Sequence, residues 1–155
     1  MNHGAVFVDT NVLAYARDLR EPAKQSIAQR WLEVLAERRT GRLSWQVLAE
    51  FHSVATHPKK LAATAAQARA DIVALQAWAP CPTDAALFES AWRLADRYRL
   101  AWWDALIVAA ARRCDCAILL SEDLQNGLVI DDVLRILDPF SADAPDPESL
   151  DLGQP

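Results

Sequence analysis

Apolar residues fall along the chain in two kinds of run. Ala5–Val8, Ala117–Leu120 and Val133–Leu137 are short, nearly unbroken and bounded by polar turn residues. Such runs are too short for helices and read as buried strands. Between them, apolar positions recur at helical spacing. Ile27, Trp31, Val34 and Leu35 share one face of a helix over Ala23–Arg39, with Pro22 near its start and Thr40-Gly41 as its stop. The same reasoning predicts helices over Asn11–Arg17, Gln46–Thr56, Thr64–Trp78 and Ala85–Tyr98, and one from Trp103 or Asp104 to near Arg113. Thr83 or Asp84 is placed to cap the Ala85–Tyr98 helix. Pro58, Pro80 and Pro82 mark breaks, and Leu43-Ser44-Trp45 reads as a further short strand.

Buried strands alternating with helices predict an α/β fold, a three-layer α/β/α arrangement with a central parallel sheet. In such sheets ligands gather at the carboxyl ends of the strands. With 155 residues, 52% of them hydrophobic, one domain with a substantial core is expected over 1–140. From Ser141 the chain turns to Asp, Pro, Ser, Glu and Gly, with Leu150 and Leu152 its large apolar residues. Residues 141–155 therefore read as an acidic, disordered tail.

The formal charge of −5 argues against a general electrostatic coat on DNA. It leaves nucleic acid open, because acids gathered in a metal site are neutralised once metal binds. The longest apolar stretch, Leu100–Ala111, is interrupted by Asp104, so no membrane association is expected. The first residues lack a basic segment followed by an apolar run. Three cysteines, Cys81, Cys114 and Cys116, fit a reducing compartment, and a cytoplasmic protein is the expectation. Cys114-Asp115-Cys116 has no second Cys/His pair at zinc-finger spacing and reads as inert thiols at a helix end.

Four acids stand beside apolar segments: Asp9 after the first strand, Glu50 in Leu48-Ala49-Glu50-Phe51, Asp104 after Trp102-Trp103, and Asp123 after the second strand. Each has an ordinary reading. Asp9 can form a turn or cap the next helix, Asp104 can be an N-cap, Asp123 can make an Asx turn near Asn126-Gly127, and Glu50 can be a solvated helix acid. Together they suggest a shared acidic pocket, whose natural occupant is a divalent cation with oxygen ligands. Thr10, Asn11 and Ser121 are neutral neighbours placed to bond a carboxylate or water beside the cation. His52 and His57, five apart, do not share a helix face. Trp31, Trp78 and Trp92 sit at core spacing, whereas Trp102 or Trp103 is a candidate wall of a substrate cleft. Among the basic clusters, Arg17, Arg20 and Lys24 follow the Asp9 turn and are the candidates for phosphate contacts.

Val8-Asp9-Thr10-Asn11-Val12, Leu48-Ala49-Glu50-Phe51, Trp103-Asp104-Ala105 through Ala111, and Leu119-Leu120-Ser121-Glu122-Asp123-Leu124 with Gly127 resemble, in order, the motifs of the PIN domain. The closing Val133–Phe140 resembles its final strand, and the likeness extends to VapC-type toxins of prokaryotic toxin–antitoxin pairs. It runs from about Phe7 to Phe140. The resemblance implies a metal-dependent ribonuclease using Mg²⁺ or Mn²⁺, a homodimer, and a small antitoxin partner that blocks the site. On this reading Asp9, Glu50, Asp104 and Asp123 are the catalytic acids. Asp9 and Asp104 ligate metal directly, Asp123 directly or through water, and Glu50 is a ligand or a water-orienting base. Two other functions remain open. An aspartyl-phosphate phosphohydrolase would use Asp9, but it ordinarily needs an acid two residues on, where Asn11 stands. A non-catalytic PIN-like module would bind RNA or protein.

Overall fold

Val6, Phe7 and Val8 are wholly buried and form β1 (Val6–Val8), an interior strand, as an unbroken apolar run requires. In this computed structural model, which describes residues 4–151, β1 pairs in parallel with β2 (Gly41–Arg42) on one side and β3 (Ile118–Leu120) on the other. β3 pairs in parallel with β5 (Leu134–Leu137), and β4 (Val129–Ile130) closes the edge antiparallel to β5. The strand order is β2-β1-β3-β5-β4. The connecting helices are α1 (Thr10–Tyr15), α2 (Pro22–Arg38), α3 (Trp45–Thr56), α4 (Ala65–Leu75), α5 (Ala85–Tyr98) and α6 (Trp102–Arg113). The result is the expected α/β/α arrangement around a mostly parallel sheet. From β1 the chain winds toward β2, and from β3 it winds the other way toward β5. The carboxyl ends of β1 and β3 therefore flank a reversal of winding, where an open α/β sheet leaves a crevice.

The helices are positioned by ordinary burial. α1 packs on α2 and α3, α3 on α4, and α5 on α6, which also meets β3. Every residue from Ala105 to Ala111 is buried, so α6 is fixed on all sides beyond its first turn. No helix among the described residues is long and apolar enough to cross a membrane.

Several sequence expectations shift for physical reasons. The second strand lies at Gly41–Arg42, because the Ser44 hydroxyl accepts the Val47 N–H at 3.3 Å and caps α3, leaving Trp45 helical. Gly41 does not stop α2. That role falls to Arg39, left-handed at φ 55°, with the Thr40 N–H returning to the Leu35 carbonyl at 3.1 Å. Gly41 is needed for packing: a Cβ there would lie 2.3 Å from the Trp78 ring. α6 begins at Trp102, so Asp104 is inside its first turn rather than at its cap. Ile27 and Trp92 are 37% and 55% exposed, so neither is core. β4 has two residues, too few to show periodicity in the sequence.

Composition suggests disorder from Ser141, yet residues 146–150 are tied to α2. Pro147 is buried, and Asp146 caps a 3₁₀ turn over Pro147–Ser149. Arg30 pairs with Asp146 and Glu148, each at 3.3 Å, and Arg38 donates to the carbonyls of Glu148 and Leu150, each at 3.1 Å. Basic side chains on α2 thus fix an acidic segment that has little apolar surface of its own. Residues 152–155, including Leu152, lie outside the described residues.

Candidate metal centre

Asp9, Glu50, Asp104 and Asp123 line one cavity of about 620 Å³, each carried by a different segment. Asp9 follows β1 directly. Its N–H donates to the Leu120 carbonyl at 3.0 Å, extending the β1–β3 ladder by one step. Its side chain then accepts the Thr10 N–H at 2.7 Å and caps α1. The capping role read from the sequence is real, and the same carboxylate also faces the cavity. It accepts from Ser121 Oγ at 2.7 Å and Asn11 Nδ2 at 3.3 Å. Burial pushes the Asp9 pKa from 3.8 up to about 6. The Ser121 and Thr10 hydrogen bonds hold it down, and the charges of Glu50 and Asp123 push it further up.

Ser121, fully buried, follows β3, and Asp123 stands two residues on at the exposed rim. The Asp123 N–H donates to Ser121 Oγ at 3.2 Å, and its carboxylate accepts from Asn11 Nδ2 at 3.1 Å. Asn11 Oδ1 accepts the Glu122 N–H at 3.2 Å. Asn11 therefore stitches the turn after β1 to the turn after β3. It supplies amide donors where an aspartyl-phosphate mechanism would need an acid.

Glu50 is not a solvated helix acid. It accepts from Thr10 Oγ1 and from Gln46 Nε2, both at 2.8 Å. Gln46 also donates to the Trp103 carbonyl at 3.3 Å, tying α3 to the start of α6. Asp104 sits where the α6 dipole favours a carboxylate. Even so, burial raises its pKa, with further upward pressure from Asp123 and Glu50.

None of the four carboxylates takes part in an ion pair among the described residues. Every hydrogen bond they accept comes from a neutral donor. Gathered negative charge without a basic partner fits a hard divalent cation. Among the described residues, no three acidic, histidine or cysteine side chains are grouped tightly enough to hold a metal unaided. That suits a cation that keeps several waters and takes one or two carboxylates.

The basic residues divide. Arg17 is paired with Asp71, its Nε 2.9 Å from Oδ2, and does not line the acidic cavity. Lys24 is bound to Glu122 and lies over the Tyr15 ring, 4.6 Å from its centroid. Arg20 forms a two-pronged pair with Asp18, both contacts at 2.8 Å, yet lines the cavity. Lys60 lines it too, and makes no ion pair among the described residues. Sequence reasoning passed over Lys60 as surface charge beyond Pro58. It also missed Gln46, although Gln46 and Glu50 are four apart on one helix face, a spacing that could have revealed the pair.

A family model described as PIN domain matches residues 6–125, and that span contains all four acids. No curated protein matches the chain.

Proposed function

The chain belongs to the PIN domain family, whose members are in general nuclease modules that bind RNA, and from that premise we propose that it is a Mg²⁺- or Mn²⁺-dependent endoribonuclease, the toxin of a toxin–antitoxin pair. The observation that carries this reading is that four of the carboxylates lining the cavity, Asp9, Glu50, Asp104 and Asp123, have no basic partner among the described residues, whereas Asp18 and Glu122 beside them are paired with Arg20 and Lys24. Asp9 and Asp104 hold the cation directly, and Asp123 does so directly or through water. When bound, the cation offsets charge developing on the scissile phosphate and lowers the pKa of water.

The chain's own residues supply the rest. Glu50, fixed between Thr10 and Gln46, is aimed to orient the attacking water and accept its proton. Ser121 and Asn11 hold the Asp9 carboxylate in one orientation. Arg20 and Lys60 hold the phosphate backbone at the cavity wall. Arg17 and Lys24 do not line the cavity and contribute little to RNA contact.

A homodimer and a protein antitoxin belong to the same proposal. They draw support from the exposed Phe88 and Trp92 on the α5–α6 surface, where Trp92 stacks on Trp102 and Phe88 meets it edge-on. A basic antitoxin segment is chemically suited to the four carboxylates, which have no cationic partner among the described residues. The proposal places the protein in the cytoplasm and the nuclease unit within 1–140.

One observation favours a second reading, a non-catalytic RNA- or protein-binding module: the four acids are spread rather than grouped as a ready ligand set. The deciding experiment is cleavage of a mixed RNA pool with Mg²⁺, Mn²⁺ or chelator, beside calorimetry of metal binding. Cleavage that needs metal supports the nuclease. A protein that binds RNA but neither cation supports the module.

A further inference from the structure

Trp103 is 64% exposed, lines the acidic cavity and immediately precedes Asp104. Its neighbour Trp102 behaves differently. Trp102 packs against Phe88 at 5.1 Å and Trp92 at 6.2 Å between ring centroids. Trp103 joins no aromatic pair among the described residues. A large indole left in water beside the acids gains nothing for the fold. Its backbone, however, is fixed: it lies in the first turn of α6, and its carbonyl accepts from Gln46 at 3.3 Å.

α3 acts as a ruler along the cavity. Gln46 near its start marks the Trp103 end. Glu50, Ser53 and Val54 line the cavity along its length, and Lys60 and Leu61 line it beyond the helix terminus. Gln46 to Thr56 spans about 15 Å of helix. Arg20 belongs to the far end, where its Nη1 donates to the Lys59 carbonyl at 3.4 Å. The cleft thus has an apolar ring face at one end, cations at the other and carboxylates between.

We propose that Trp103 is a base-stacking platform: an unpaired nucleobase lies on its indole while the same strand's phosphates reach Arg20 and Lys60, so the cleft selects single-stranded RNA. A paired base shows only its edge outside the helix, whereas an unstacked base offers the face that an aromatic ring covers. This inference rests on the RNA-nuclease reading of the same cavity.

The test measures binding of a labelled, mixed-sequence single-stranded oligoribonucleotide, and of the same strand annealed to its complement, with calcium replacing magnesium. Trp103→Ala should weaken single-strand binding about tenfold and leave duplex binding unchanged, and Trp103→Phe should recover most of the loss. In cleavage with Mg²⁺, Trp103→Ala should raise KM more than it lowers kcat. An abasic site scanned along the strand gives a second readout that does not depend on variant folding: at one position it should cost the wild type the same factor and Trp103→Ala nothing. Equal affinity of wild type and Trp103→Ala for the single strand, with wild-type cleavage intact, overturns the stacking role and spares the nuclease reading. Wild-type affinity for duplex equal to that for the single strand overturns the selection. Wild type that neither binds nor cleaves RNA overturns both.

Discussion

At the first turn of α6, Asp104 lines a cavity with Asp9, Glu50 and Asp123, and the hydrogen bonds these acids accept come from neutral groups. At its last turn, Arg112 reaches Asp131 at 3.4 Å, and the same carboxylate takes Arg97 at 3.3 Å and the Tyr98 hydroxyl at 3.1 Å. Both ends suit the helix dipole, acid at the N-terminus and base at the C-terminus. They differ in what balances the charge. Asp131 is balanced by the fold itself: it tethers the turn after β4 to α5 and α6, and its N–H donates to Tyr98 at 2.8 Å. The acids around Asp104 are left for something outside the chain to balance. The unpaired set is the one the proposed metal centre assigns to binding.

Substitution should separate the two ends most sharply. Asp104→Asn is expected to lower RNA cleavage at least about 100-fold, with thermal stability unchanged or raised, since it removes a partly buried charge crowded by Asp123 and Glu50. Asp131→Ala is expected to do the reverse. It should cost about 1–2 kcal/mol of stability, through lost ion pairs and a left-handed backbone at φ 48° that Ala tolerates less well, and leave cleavage per folded molecule unaltered. Paired measurements of cleavage and melting temperature check this, and an active Asp104→Asn would end the metal-centre assignment.

The pH dependence of Asp9 sharpens the same contrast. Its folded pKa of about 6 lies above its ordinary 3.8, so between those values the native state binds more protons than the unfolded chain. Stability from this group is fully present below pH 3.8 and is lost as pH rises through about 6. At neutral pH the ionised, buried Asp9 costs the metal-free protein about 3 kcal/mol at most. Asp9→Asn should therefore stabilise the metal-free protein at pH 7, with the gain shrinking toward zero near pH 4, while abolishing metal binding. Denaturant titrations with chelator at the two pH values measure it. No gain at pH 7 would mean that Asp9 is not strained by burial. Wild-type affinity for Mg²⁺ should fall as pH drops below about 6, because the cation must compete with the proton on Asp9.

Much of this arrangement was legible in the sequence because it depends on local rules. Ala5–Val8 and Ala117–Leu120 announced the strands by apolar content, and Asp9 and Asp123 followed their carboxyl ends, where such sheets hold ligands. Glu50 and Asp104 sat beside apolar helical faces, and the fold brought both to the same cavity. What escaped notice depends on long-range contacts. Gly41 reads locally as a helix stop, but its role is set by the Trp78 ring packed against it, 37 positions on. The segment after Ser141 has the composition of a loose tail, and only the placement of Arg30 and Arg38 on α2 shows what holds it. Proximity to Asp9 along the chain nominated Arg17, Arg20 and Lys24, but their availability depends on Asp71, Asp18 and Glu122.

That last point yields the smallest expected effect. Arg17 and Lys60 are both exposed cations within reach of solvent, and charge counting treats them alike. Arg17 is spent on Asp71 and lies outside the acidic cavity, whereas Lys60 lines the cavity with no acidic partner among the described residues. Lys60→Ala should raise KM a few-fold and reduce the slope of log affinity against log salt by about 0.7, the loss of one contact to a single strand. Arg17→Ala should leave that slope unchanged and show only a small loss of stability, because an exposed pair contributes little. A salt titration of RNA binding with both variants reads the difference. If Arg17 and Lys60 change the slope equally, the backbone is gathered by the diffuse field of the surface. If only Lys60 does, what distinguishes the cations is the same as for the acids at the two ends of α6: a side chain without an internal partner is the one that meets the ligand.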